Sequence, residues 1–208
     1  MIGRVGSDAF STHLLENLKQ HSVGIEAVAK TENSTSGLAI VSVEDSGQNA
    51  SQLVAGANGL VTSADVQRHA PAITSADVLL LQLEIPVESG VTAIAIAKAS
   101  GVRCVLDPAP VVDDWTDELL DVDLVCPNET EASAITGLPI ETIAQAEQAA
   151  RQLQDRGAGN VAITHGENGT LLLSEDQVRH IKATPIKPVD TTAAGDAFAG
   201  ALAVYWAE

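Results

Sequence analysis

The 208-residue sequence predicts an α/β protein: a doubly wound, mostly parallel sheet flanked by helices, with a small antiparallel β flap. Three observations carry that prediction. From about residue 77 onward, short apolar runs alternate with stretches of helical periodicity, the pattern of strands crossed over by helices. Hydrophobic residues make up 45% of the chain but aromatics only 2%, so the core must be built from Ala, Val, Leu and Ile, which suits strands covered on both faces. Between about residues 28 and 60 the texture differs: strand-like pieces at 37–43 and 52–55 are broken by Gly, Ser, Asn and Asp, as in a small antiparallel flap.

The elements follow in order. Residues 77–83 form a continuous apolar strand, 86–100 a helix, 102–106 a second strand and 123–126 a third. A short helix spans 129–136. Ile143, Ala146, Ala150 and Leu153 recur at helical spacing, which predicts an amphipathic helix over 142–156 with Gly157 just past its end. Strands are expected at 160–164, 170–174 and 177–183, and a last helix at 194–207. The length is that of one domain able to bury a core.

Charge and composition exclude several classes. The net charge is −17, which argues against binding nucleic acid or an anionic membrane; an anionic substrate then needs locally placed donors. No apolar run reaches the length of a membrane span and residues 1–6 lack signal-peptide anatomy, so a cytoplasmic location is expected. Cys104 and Cys126 each lie in an apolar run and read as buried thiols. The five histidines form no ligand pattern.

The stretch Asp190-Thr191-Thr192-Ala193-Ala194-Gly195-Asp196, followed by a small-residue run, reads as an anion-binding turn that opens the last helix. Thr191 or Thr192 is expected to cap the helix, and Ala193, Ala194 and Gly195 leave their N–H groups unobstructed. Asp196 beside those donors suits a reaction that deprotonates a hydroxyl while stabilising a charged phosphoryl group. An ordinary helix start explains the same residues. Three further motifs follow strand ends, where ligands of open α/β sheets gather. Gln82-Leu83-Glu84 reads either as a solvated strand end or as a ligand for hydroxyls. Asn128 and Glu131 form a capping box at the head of a helix, a place where phosphate also binds. Thr164-His165-Gly166-Glu167-Asn168-Gly169 carries an Asn-Gly hairpin signal.

Together these motifs resemble the ribokinase-like carbohydrate kinases, with matches from Gly3 to the C-terminal helix; Ala193, where many members have Gly, is similar to the ribokinase branch. The resemblance implies transfer of the γ-phosphate of ATP to the 5-hydroxyl of D-ribose. It assigns Asp196 as base and sugar contact, Ala193, Ala194 and Gly195 as the anion hole, and Glu84 as a sugar ligand. Asn128, Thr164, Gly166, Glu167, Gly169 and Gly195 would lie at the nucleotide. Glu131 would organise Mg2+ through water, and Asp190 and Thr192 would bind K+. Relatives dimerise through their flaps, so a homodimer is a further expectation.

The resemblance also implies sequence beyond both ends, including a Gly-Gly-x-x-x-Asn sugar loop and residues that close over adenine. The chain is therefore expected to be incomplete at both termini, with weak or no catalysis on its own. A sister kinase acting on fructose, a sugar phosphate or a nucleoside stays open, as does a non-catalytic nucleotide-binding remnant.

Overall fold

The computed structural model describes residues 1–43, 49–187 and 191–208. The chain opens with β1 (Ile2–Val5), α1 (Ala9–Gln20) and β2 (Ala27–Lys30), and β1 and β2 pair in parallel. β3 (Leu38–Val43) and β4 (Asn49–Val54) form an antiparallel pair, the flap. The predicted 28–60 region is thus of mixed character: residues 28–30 belong to the parallel pair, and Gly56–Leu60 is a 3₁₀ turn. Strand-like texture was legible there. The pairing partner of β2 was not, because alternation along a strand does not name its neighbour.

The root of the flap is tied down by Asp8. This residue caps α1 by accepting from the Ser11 N–H at 3.0 Å, and it also accepts from the Ser36 N–H at 2.6 Å and the Ser36 hydroxyl at 2.9 Å. The bond from the Ser36 backbone is the main reason its carboxyl sits below the usual range. A second anchor lies at α2 (Ser63–Arg68), whose capping box joins Thr62 and Asp65. Asp65 also takes Arg4 at 2.7 Å and Arg68 at 3.0 Å. Burial alone would raise this carboxyl, but the Thr62 backbone and Arg4 outweigh it and hold it far below the carboxylate range.

After α3 (Ala70–Thr74) the alternation begins: β5 (Val78–Leu81), α4 (Val87–Ala99), β6 (Arg103–Leu106), β7 (Leu124–Val125), α5 (Glu129–Thr136), α6 (Ile143–Asp155), β8 (Asn160–Thr164), β9 (Thr170–Ser174), β10 (Gln177–Ile181) and α7 (Ala194–Ala207). The six strands lie in the order β10-β9-β8-β7-β6-β5. β5 to β8 run parallel, while β9 and β10 return as antiparallel strands. Consecutive residues point to opposite faces. Leu106, Val125 and Ile163 pack with Ile94 of α4 and Ala150 of α6, whereas Val105, Leu124 and Ala162 pack against Ala199 and Ala203 of α7. Helices therefore cover both faces, as the sequence predicted. Cys104 and Cys126 are buried within these layers, and burial pushes each thiol up to about 12.

α7 is fixed at its far end by Arg103, which lies over the Trp206 ring at 5.6 Å and donates to the Trp206 carbonyl. Its near end departs from expectation. The N-cap is Ala193, in the left-handed region at φ 60°, with no side-chain cap. The expected capping role of Thr191 or Thr192 is therefore not what starts the helix. The chain enters through a turn in which Ala194 N–H donates to Thr191 O at 3.2 Å, and a left-handed alanine costs about 1 kcal/mol.

Candidate active site

The carboxyl ends of β5, β7 and β8 carry polar residues that the sequence singled out, the end of β6 adds Asp107, and backbone bonds lock neighbouring ends together. Asp107 N–H donates to Leu81 O at 2.9 Å, Leu83 N–H to Ala109 O at 3.0 Å, and Thr164 N–H to Pro127 O at 3.0 Å. Two clusters result.

At the first, Gln82 follows β5 and its Nε2 donates to Asp107 Oδ2 and to Asp196 Oδ1, each at 2.9 Å. Asp196 lies exposed in the first turn of α7, near the positive end of the helix. Asp107 is only 5% exposed. Burial pushes its carboxyl above the usual range, Gln82 pulls it back, and the Asp196 charge adds to the rise. Two residues beyond Gln82, Glu84 accepts from Asn58 Nδ2 at 3.4 Å. It lines a cavity of about 370 Å³ together with Leu38, Leu53, Val54, Asn58 and Pro110, so the flap stands over Glu84. A sugar-sized molecule fits that volume, with apolar walls and a carboxylate to take hydroxyl hydrogens.

At the second cluster, Asn128 caps α5. Its Oδ1 accepts from Glu131 N–H at 2.9 Å, while its own N–H and Nδ2 each donate to Glu131 at 2.8 Å. Both oxygens of Glu131 are thus engaged. Burial raises this carboxyl, the Asn128 N–H opposes the rise, and Asp107 adds to it. Asn128 also bridges in parallel to Thr164, which brings these two motifs side by side. The Thr164 to Gly169 segment is a hairpin built on a 3₁₀ turn, Gly166–Asn168. Gly169 has an internal reason to be glycine: at φ 92°, a Cβ would lie 2.1 Å from Ile181 O. Around Gly166 and Gly195, by contrast, a Cβ would meet nothing within 4 Å. Glu167 is exposed on the turn.

Of the expected anion hole, Ala194 N–H is spent on Thr191, while Gly195 N–H has no partner among the described residues. Asp190 lies outside the described residues, and Thr192 is exposed just before Ala193. Among the described residues no group of three His, Cys, Asp or Glu side chains is placed to hold a metal ion. A larger cavity of about 480 Å³ opens elsewhere, beside the start of α4, lined in part by Glu88, Asp114 and Glu118. Those carboxylates make it a poor home for an anionic substrate.

The model of the pfkB family carbohydrate kinases matches residues 1–208. The chain belongs to this family. It is similar to the ribokinase of Mus musculus, 37% identical over 210 residues, which take in 100% of this chain and 65% of the mouse protein. It is also similar to the deoxyribokinase of Salmonella typhi, 34% identical over 100% of this chain and 68% of that protein. Among solved structures, the Arabidopsis thaliana ribokinase complexed with ribose and ATP superposes with a TM-score of 0.88 at 32% identity, covering 99% of this chain and 68% of that one. The chain thus spans about two thirds of the length of these two relatives.

Membership in the pfkB family gives the two clusters a common frame, in which the sequence predicts an acceptor end at the first and a nucleotide end at the second. Two residues of that frame were not assigned from sequence. Gln82 was read only as part of a strand-end motif, and Asp107 was not singled out. The available signal was the same one that marked Glu84: a polar residue directly after an apolar strand. Among the described residues no helix is long and apolar enough to cross a membrane.

Proposed function

We propose that the protein carrying this chain is an ATP-dependent ribokinase, with D-ribose as acceptor and ribose 5-phosphate as product. The supporting observation is that Gln82, which holds Asp196, and Glu84, which faces the flap cavity, leave the sheet two residues apart. The same strand end thus holds Asp196 through Gln82 and lines the flap cavity with Glu84, which supports reading Asp196 as base and Glu84 as hydroxyl acceptor.

In the proposed reaction, Glu84 accepts hydrogen bonds from sugar hydroxyls and orients the ring. Asp196 takes the proton of the 5-hydroxyl as that oxygen bonds to the γ-phosphorus, and the bond from phosphorus to the bridging oxygen of ADP breaks. Gly195 N–H, at the helix head, stabilises the charge on the transferring group. Asn128, Thr164, Gly166, Glu167 and Gly169 form the nucleotide end. Mg2+ travelling with ATP neutralises phosphate charge, and Glu131, with both oxygens already engaged, would meet it only through water. A K+ site at Asp190 and Thr192 is part of this reading; omission of K+ with Mg2+ retained is expected to lower turnover.

The assay is ADP release by the full-length protein with ATP, Mg2+, K+ and either D-ribose or 2-deoxyribose. Turnover of ribose and its loss in Asp196→Asn are expected; no turnover of either sugar contradicts the kinase reading. The similarity to a deoxyribokinase favours 2-deoxyribose as the second reading, and a higher kcat/KM for it than for ribose would select that one. For the 208 residues alone we expect weak or no turnover, and activity equal to the full-length protein would contradict that. We place the reaction in the cytoplasm, where ATP is supplied. A homodimer through the flap is supported by exposed Ile40 and Leu53, and a monomeric mass in sedimentation would exclude it.

A further inference from the structure

Gln82 joins three parts of the molecule that are distant in sequence. Its single amide nitrogen carries two hydrogens, and both are committed, one to Asp107 and one to Asp196. Ionised carboxylates only accept, so two of them facing one amide fix which end of that amide is the nitrogen. The two ends of this bridge are unequal. Asp107 is buried, follows the core strand β6, and has its backbone pinned to Leu81 O at 2.9 Å. Asp196 is exposed on the first turn of a helix that begins with no side-chain cap. An exposed aspartate on a helix end samples several rotamers unless something holds it.

We propose that Gln82 is a positioning residue for the transfer step: anchored on Asp107, it holds Oδ1 of Asp196 and leaves Oδ2 to receive the acceptor's hydroxyl proton. The inference rests on the reading of Asp196 as base. The physical need is plain. A misplacement of about 1 Å in a reacting group can cost on the order of a hundredfold in rate. The bridge also ties together two carboxylates of like charge, each of which accepts one hydrogen of the same amide. Removal of the amide leaves Asp196 to turn away from Asp107, taking Oδ2 with it.

The test uses the full-length protein and three variants, Gln82→Leu, Asp107→Leu and the double variant. Gln82→Leu is expected to lower kcat roughly thirtyfold while KM for ATP stays within about twofold, because the nucleotide end is untouched. If Asp107 acts through Gln82, the double variant loses no more than about threefold beyond Gln82→Leu alone. A second readout is independent of turnover. The side-chain amide resonance of Gln82 in a 15N-resolved spectrum, identified by its disappearance in Gln82→Leu, is expected to shift in both Asp196→Asn and Asp107→Leu. The inference is overturned by a folded Gln82→Leu with kcat within about threefold of the parent, by multiplicative losses in the double variant, or by a Gln82 resonance that ignores Asp196. Should the parent protein turn over neither sugar, the kinase reading and the catalytic role of the bridge fall together. The resonance shifts then still decide whether Gln82 holds Asp196.

Discussion

The two ends of the proposed site, one for the nucleotide and one for the acceptor, are built in different ways. At the nucleotide end, Asn128 and Glu131 satisfy each other across three residues, and Gly169 closes a hairpin against Ile181. At the acceptor end, Asp196 is reached by Gln82 across 114 residues, and Gln82 by Asp107 across 25. The nucleotide end is therefore part of the scaffold, held by local bonds that would exist without any ligand. The acceptor end is an exposed side chain steadied by one long-range bond. Substitutions at the first should therefore cost stability, and substitutions at the second should cost chemistry.

The largest stability effect belongs to the nucleotide end. Gly169→Ala meets both a left-handed φ and a backbone oxygen, and is expected to destabilise by about 3 kcal/mol or more, read as a fall in denaturant midpoint. Gly195→Ala has open space around it and should leave the midpoint nearly unchanged while raising KM for ATP. Equal midpoints for the two variants would erase the contrast. Next in size is Asn128→Ala, which removes the cap of α5 and is expected to cost about 1 kcal/mol. A loss of kcat without a loss of stability in that variant would move Asn128 from scaffold to chemistry.

A smaller, pH-dependent effect marks the boundary between the ends. Asp107 is raised above its unfolded value, chiefly by burial. The folded state then binds more protons than the unfolded one as pH climbs from about 4, so this group costs stability as pH rises through that window. Asp107→Asn keeps an acceptor for Gln82 and carries no charge. Its thermal midpoint is expected to exceed the parent's by more at pH 7 than at pH 4. A constant gap would remove the buried charge from the account.

What could be read from the sequence follows the same division. The Asn128 and Glu131 box, the Asn168-Gly169 hairpin and the helix over 142–156 are patterns contained within one continuous stretch of sequence each, and the structure has them where the pattern puts them. The motif containing Gln82 was visible as a strand end, but its bond to Asp196 has no local signature. Asp107 offers only the strand-end signal, a polar residue after an apolar run, with no periodicity or cap beside it. The start of α7 was misread because threonines beside a helix suggest a cap, whereas the backbone turns through Ala193 instead. Replacing that strained alanine, Ala193→Gly, is expected to stabilise by up to about 1 kcal/mol.

The role proposed for Asp196 lies in chemistry and not in holding the fold or the nucleotide. The direct measurement pairs ATP affinity by calorimetry with ribose-dependent ADP release in the full-length protein and its Asp196→Asn variant. A Kd for ATP within about threefold of the parent is expected, with turnover lowered by on the order of a thousandfold. Turnover within tenfold of the parent, at unchanged ATP affinity, would contradict it.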